Sequence, residues 1–435
     1  MIKYRLFTVI VLVLVSTVKA QEVLTIQEAI QIGVENNYDV RIVKNTTEIT
    51  RVENNVINSG YLPRVSVSGG INYADETQNV TFSDGTNASV NNAITESYNA
   101  AFTTEYTIFD GFERKFNVRK NAENLNLQKL QERQSVENTI IAINEAYYNV
   151  AYQKQIVANL RLNITNSKDR LQRNRRKLKY GQGTKLDELN AQVDLNNDSI
   201  AFASALKDFN NAKRNLNLML GRNVTDSFVV DTTVTFQRIP NEQEILQSAQ
   251  NSNVGALLNE KNLLLSELDI KINKAKYLPK INGSASYSWI ESINPVTSFA
   301  LNNEAYGVNL GLSLSWNLFD GGTTKTRVMS SKITKINREI ELYKAREELK
   351  TEIYNAYEDY TNRQFTLHAE ENNVQTNRLN FSRTQKQLSL GQITAIEFRQ
   401  AQINLFNALN NFAKAKYDLK IAELGLLQLA GSLID

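Results

Sequence analysis

Residues 306–321 read YGVNLGLSLSWNLFDG and alternate apolar with small or polar residues. From Tyr306 to Leu318 the even-numbered residues are apolar, whereas the odd-numbered residues are Gly, Asn or Ser. A period of two with one apolar face is the pattern of a β-strand. About ten such residues are enough for a tilted strand to cross a lipid bilayer. The segment at about 306–319 is therefore predicted to be a membrane-spanning strand.

The same alternation occurs in three other segments. They predict strands at about 64–73, 98–109 and 280–290. Aromatic residues near the strand ends suit the two lipid interfaces. Two hairpins of a soluble sandwich are the alternative, but the small, hydroxylated opposite face favours a water-filled lumen. The segments 74–97 and 291–305, which separate the paired strands, are predicted to be surface loops.

Short motifs occur twice, which indicates a tandem repeat. The triplet YLP at 61–63 recurs at 277–279, and FDG at 109–111 recurs at 319–321. After the second motif the two halves match at a constant offset of 210 residues. The chain is therefore divided into a first repeat at 21–221, a linker at 222–240 and a second repeat at 241–435.

Between the strands the pattern is helical, with apolar residues seven positions apart. One series runs from Val136 to Leu178 and another from Ile353 to Leu388. A sustained repeat of seven favours a coiled coil. It predicts long helices at about 111–180 and 322–390, each roughly 105 Å long at ~1.5 Å per residue.

The amino terminus predicts export. Residues 1–20 combine Lys3 and Arg5 with an apolar run and a final Val-Lys-Ala, as in a secretory signal peptide. The apolar run is shorter than the ~20 residues of a spanning helix. The chain contains no Cys, so lipid attachment and disulfides are not expected.

Composition argues against enzymes and nucleic-acid binding. Without the bases of residues 1–20, Lys and Arg equal Asp and Glu in number, so no electrostatic basis for nucleic-acid binding exists. The carboxylates show no convergent spacing, and the single histidine, His368, is predicted to be a helix-surface residue. The sequence therefore predicts no catalytic residue, no metal site and no cofactor.

Four strands cannot close a membrane barrel, for which about eight are the practical minimum. An open edge in lipid would leave backbone groups without hydrogen bonds. Several chains must therefore share one barrel in contact with membrane lipid. This reasoning requires an oligomer without choosing between two, three or four chains.

The two-fold series of YLP, strands, FDG, long helix, Gly-containing turn and a helix with Ala-Gln closely resembles the TolC-like outer-membrane efflux proteins. The resemblance covers nearly all of residues 22–431. It implies a mixed α+β membrane protein: a homotrimer with a twelve-stranded outer-membrane barrel continued by a periplasmic α-helical barrel.

The implied role is the exit duct of a tripartite efflux pump, which docks to a periplasmic adaptor protein and an inner-membrane transporter. A duct for type I protein secretion is the alternative within this family. An exported coiled-coil scaffold is a third hypothesis, which explains the heptads but not the four strands. The substrate, whether drug, metal ion or polypeptide, and the transporter class are not readable from the sequence.

Two helix turns contain the candidate site residues. Locally, Gly181 and Gly391 would end one helix, and Thr184 and Thr394 would cap the next. The resemblance places these four residues at periplasmic tips that dock the adaptor. It also places the acids Asp187 and Glu397 at a periplasmic gate. Ile393 and Gln400 stand where some family members have a gate Arg and a second acid, so the family's closed-state lock does not transfer directly.

Overall fold

The structure is a computed structural model that describes residues 23–55 and 57–434. The signal peptide predicted at residues 1–20 lies outside the described residues. The described elements are, in chain order, β1 Val23–Leu24, α1 Ile26–Asn36, α2 Tyr38–Glu53, a 3-10 turn Ile57–Ser59, β2 Arg64–Thr81, β3 Asn87–Phe109, α3 Glu113–Lys179, α4 Lys185–Met219, β4 Val229–Val230, α5 Glu242–Ser252, α6 Val254–Ala275, β5 Lys280–Ile293, β6 Asn302–Ser315, α7 Thr323–Ser389 and α8 Ala395–Ala430.

These elements form two compact units, and each unit combines segments from both halves of the sequence. The sheet unit comprises Thr47–Gln128 and Asn259–Leu342. The helical unit comprises Lys129–Leu258 together with the described parts of Met1–Thr46 and Tyr343–Asp435. The compact units therefore do not coincide with the two predicted repeats.

In the sheet unit, four antiparallel strands lie in the order β2-β3-β5-β6. The register aligns apolar residues across all four strands, for example Val67, Phe102, Tyr287 and Val308 in one row. All four side chains are at least half exposed. The neighbouring row on the other face is polar and consists of Ser66, Thr103, Ser286 and Asn309. One face of the sheet is thus apolar and uncovered in the single chain.

The strand predictions were correct in position but wrong in extent. The sequence put the last strand at about 306–319, whereas β6 spans Asn302–Ser315. Residues 316–319 have no partner because β5 begins at Lys280, immediately after Pro279. The Trp316 indole instead donates a hydrogen bond to the Tyr277 carbonyl at 3.0 Å.

The loop predicted at 74–97 was also wrong, since β2 and β3 continue through it as one long hairpin. The strands are joined by residues 82–86 alone. There Gly85 has a φ of +87° and the Asp84 carboxylate accepts a hydrogen bond from the Thr86 N–H at 2.9 Å. Asp-Gly is a tight-turn signal, and it outweighs the polar character of the segment. The second predicted loop, 291–305, is reduced to residues 294–301.

The two long helices, α3 and α7, each contain 67 residues. Their predicted heptad positions face the interior: Ile143, Val150 and Ile353 are almost fully buried. Among the described residues, no helix combines the length and apolar character needed to cross a membrane.

Asparagines separate two pairs of short helices, α1 from α2 at Asn37 and α5 from α6 at Asn253, whereas α4 and α8 are continuous. The Asn37 side chain donates to the Met219 carbonyl at 2.8 Å and accepts from the Asp39 N–H at 2.9 Å. Asn253, 216 residues later, donates likewise to the Leu429 carbonyl at 3.1 Å. Each side-chain amide therefore caps the start of the following helix and ties the break to a neighbouring helix.

The segment predicted as a linker, 222–240, is held against the helical unit. Within it β4 pairs in parallel with β1, and the Tyr147 hydroxyl donates to the Leu24 carbonyl at 2.8 Å. Lys154, Lys416 and Lys420 donate to three carbonyls of this extended segment at 2.8–3.0 Å. The lysines thus supply hydrogen-bond donors to backbone carbonyls of the extended segment.

Candidate functional site at the helix turns

The turn between α3 and α4 and the turn between α7 and α8 have the same backbone geometry. Gly181 and Gly391 have φ values of +73° and +72°, a conformation that side chains disfavour. The N–H of Gln182 donates to the Lys177 carbonyl at 2.8 Å, and the N–H of Gln392 donates to the Gln387 carbonyl at 2.9 Å. Both long helices therefore end in the glycine-dependent motif expected from the sequence.

Each following helix begins with a reciprocal capping box. The Asp187 N–H donates to the Thr184 hydroxyl oxygen at 3.1 Å, and the Thr184 N–H donates to the Asp187 carboxylate at 3.3 Å. In the second turn the Glu397 N–H donates to Thr394 at 3.2 Å, and the Thr394 N–H donates to Glu397 at 2.7 Å. The capping role of both threonines is therefore confirmed.

All six residues of the predicted site are exposed. The structure places Asp187 and Glu397 in the first turns of α4 and α8, each bonded to the threonine three residues before it. Hydrogen bonds from the Thr394 backbone N–H and hydroxyl lower the pKa of Glu397 below its ordinary value. Glu397 is therefore ionised near neutral pH, as a cation-attracting group must be. The docking and gate roles stay predictions.

A partly buried ionic cluster, which sequence reasoning missed, lies behind the turns. The Arg399 guanidinium donates to both carboxylate oxygens of Asp198 at 2.6 and 3.0 Å. Asp198 also accepts from the Ser167 hydroxyl at 2.5 Å, and Arg170 pairs with Asp194. We call Arg170, Asp194, Asp198 and Arg399 the arginine cluster. Because it connects α3, α4 and α8, it ties the two helix hairpins together.

The sequence contains only a weak signal of this cluster. At the 210-residue offset, Arg399 matches Leu189 and Asp198 matches Ala408. Opposite charges thus appear at positions where the other half of the chain has apolar residues. The opposite charges of Asp198 and Arg399 can be read from the sequence. The residues adjacent to Asp198 do not indicate that it contacts a residue 201 positions away.

The two turns are staggered along the bundle. Asp198 lies 14 residues after Thr184, whereas its partner Arg399 lies five residues after Thr394. The stacked rings of Tyr148 and Tyr417, 5.3 Å apart, show a similar offset. At ~1.5 Å per residue, the first turn extends roughly 13 Å farther along the helices than the second.

Two curated proteins resemble the chain over most of its length. The outer membrane efflux protein BepC of Brucella suis is 22% identical over 74% of this chain and 70% of its own length. The alkaline protease secretion protein AprF of Pseudomonas aeruginosa is 24% identical over 86% of this chain and 77% of its own.

Solved structures share the fold at lower identity. The outer membrane channel CmeC of Campylobacter jejuni has a TM-score of 0.79 and 12% identity, and the alignment covers 94% of this chain and 86% of CmeC. The open-state channel MtrE of Neisseria gonorrhoeae has a TM-score of 0.73 and 15% identity, with 94% and 89% covered. The expected TolC-like fold, mainly helical with a strand unit, is therefore confirmed.

The family assignment rests on both halves of the chain. The family described as outer membrane efflux protein matches residues 29–222 and again residues 259–432. Its members are channels of the bacterial outer membrane with a helical part in the periplasm, and they are not enzymes. The chain belongs to the outer membrane efflux protein family.

Proposed function

We propose that three copies of this chain form the outer-membrane exit duct of a tripartite efflux pump. The observation that carries the proposal is the four-stranded sheet, whose apolar face is exposed along its whole width. Lipid would cover that face, and the polar row of Ser66, Thr103, Ser286 and Asn309 would line a wet lumen.

Closure of the barrel follows from the strand edges. Within the described residues, β2 and β6 each pair on one side only. In lipid the free backbone groups of these edges need partners, which β6 of one copy and β2 of the next can supply to each other. Three copies give twelve strands, a number within the range of outer-membrane barrels.

The assembly is tested by mass measurement in mild detergent and by conductance in a planar bilayer. We expect a trimeric particle that conducts ions. A stable monomer without conductance would contradict the duct and leave the exported scaffold as the better explanation.

Glu397, with Asp187, is proposed to line the gate at the periplasmic end of the duct. In a trimer three Glu397 carboxylates approach one axis, and such a ring attracts cations. We expect Glu397→Gln to lower cation selectivity and to weaken block by multivalent cations. Unchanged selectivity and block in this variant would leave Glu397 as a capping residue alone.

Gly181, Thr184, Gly391 and Thr394 are proposed to contact a periplasmic adaptor that couples the duct to an inner-membrane transporter. A cysteine at Gln182 tests this contact, because the chain has no native Cys. We expect it to crosslink to the adaptor in intact cells, whereas a cysteine at exposed Asp84 should not. Equal crosslinking at both positions would contradict docking by the turns.

Secretion of a polypeptide is the second candidate function. The observation that favours it is the similarity to AprF, which covers 86% of this chain. The name of that protein refers to secretion of alkaline protease. Deletion of the gene should cause a secreted protein to disappear from the medium if this function holds. Sensitivity to small toxic compounds with unchanged secretion would favour efflux.

A further inference from the structure

The first helix turn carries an unusual concentration of positive charge. Residues 170–185 contain seven Lys or Arg and no acid, whereas the matching residues 380–395 contain two. Arg173, Arg176, Lys177 and Lys179 are exposed, and none has an ion-pair partner among the described residues. We call these four residues the basic patch.

Stabilisation of the helix end does not account for the basic patch. Bases in the last turn of a helix complement its dipole. However, α7 has the same length and the same glycine motif, and its last turn contains Lys386 alone. Within the patch, Arg173 lies four residues before Lys177, and Arg176 lies three before Lys179. Like charges at these spacings destabilise a helix by a few tenths of a kcal/mol, ~0.2–0.5 per pair. An approaching anionic surface would relieve that repulsion.

Apolar side chains lie beside the patch. Tyr180 and Leu186 are 72% and 66% exposed, and their counterparts at the second turn, Leu390 and Ile396, are 71% and 78% exposed, so apolar exposure is common to both turns and charge distinguishes them. Tyr and Arg are both enriched in protein interfaces. Membrane-surface helices instead lie flat with one long apolar face. Here the exposed groups are at the end of a hairpin, which offers a narrow surface to its partner.

We infer that the first turn, extending ~13 Å beyond the second, is the principal contact for the adaptor, and that the adaptor surface that meets it is acidic. This inference rests on the proposed docking role of the turns. It adds that the two turns are unequal and that electrostatic attraction to carboxylates guides the encounter.

The test uses the full chain in detergent and two synthetic helical hairpins of equal length. One hairpin carries Glu around its turn and the other carries Gln at the same positions. We expect the Glu hairpin to bind at least about tenfold more tightly. This preference should vanish as ionic strength rises from about 0.01 M to about 1 M, which shortens the Debye length from about 30 Å to about 3 Å.

Charge-reversal variants locate the contact. Lys177→Glu with Lys179→Glu should lower the affinity for the Glu hairpin at least about tenfold. The matched control is Arg383→Glu with Lys386→Glu on the second hairpin, which should leave the affinity unchanged. Both double variants should keep the trimer mass and conductance, because the changed side chains are exposed.

Three results would overturn the inference: equal or absent binding of the two hairpins, an equal effect of both double variants, or binding of phosphatidylglycerol vesicles that depends on the patch while the Glu hairpin fails to bind. The conductance measurement is independent. A conducting trimer without preference for the Glu hairpin would contradict this inference and would still support the proposed duct. A chain that does not conduct would contradict the proposed duct itself.

Discussion

The two helix turns have the same backbone and different surroundings. Gly181 and Gly391 adopt the same left-handed conformation, and Thr184 and Thr394 form the same capping box. Around this shared geometry the charges differ, since the basic patch and Asp198 belong to the first hairpin and Arg399 belongs to the second. Backbone geometry at a turn thus constrains two or three residues, and the neighbouring surface is free to differ.

The largest loss of stability is expected from substitutions in the arginine cluster, which joins the two hairpins. Arg399→Leu leaves Asp198 buried without its counter-ion, which should cost about 3–5 kcal/mol of stability. The matched change, Leu189→Ala, affects a half-exposed residue and should cost much less. The measurement is the thermal midpoint of the helical signal by circular dichroism.

The double variant Asp198→Ala with Arg399→Leu should melt at a higher temperature than Arg399→Leu alone, because it removes the buried charge. A double variant as unstable as the single one would show that packing, not charge, dominates at this position.

Substitution of either capping threonine should cause a smaller loss of stability, and the loss should be equal at the two turns. Thr184→Ala and Thr394→Ala each remove the acceptor of the capping box, at a cost of about 0.5–2 kcal/mol of helix stability. Amide hydrogen exchange in the first turns of α4 and α8 should accelerate by similar factors. Thr→Ser, which keeps the hydroxyl, should restore protection. A strong response at one turn alone would break the equivalence of the two turns.

The smallest effect is expected from the titration of Glu397. Hydrogen bonds from the Thr394 backbone and hydroxyl lower its folded-state pKa below the ordinary value of 4.5. The ionised Glu397 carboxylate therefore contributes its full stabilisation of the second turn above the unfolded-state pKa. This stabilisation is lost as the pH falls through the folded-state pKa. In acid, exchange at Glu397 should approach that of Glu397→Gln measured at the same pH. A constant difference between the two proteins at all pH values would contradict this linkage.

Features encoded by nearby residues could be predicted, and those that depend on distant pairing could not. The strands were found because one apolar face imposes a period of two, and the caps at Thr184 and Thr394 were found because their partners are three residues away. The extent of β2 and β3 was missed because a ladder continues as long as register and turn permit. The pairing of Arg399 with Asp198 was missed because these residues are 201 positions apart.

The pairing of β1 with β4 restricts the order in which the chain can fold. Val23 pairs with Val229, so the earliest described strand has a partner made about two hundred residues later. Contacts of such separation are slow to form because a long loop must close first. Leu24 is almost fully buried by this pairing and its surroundings. The amino-terminal strand therefore has no native partner until more than half of the chain is available, and it must stay unaggregated until then.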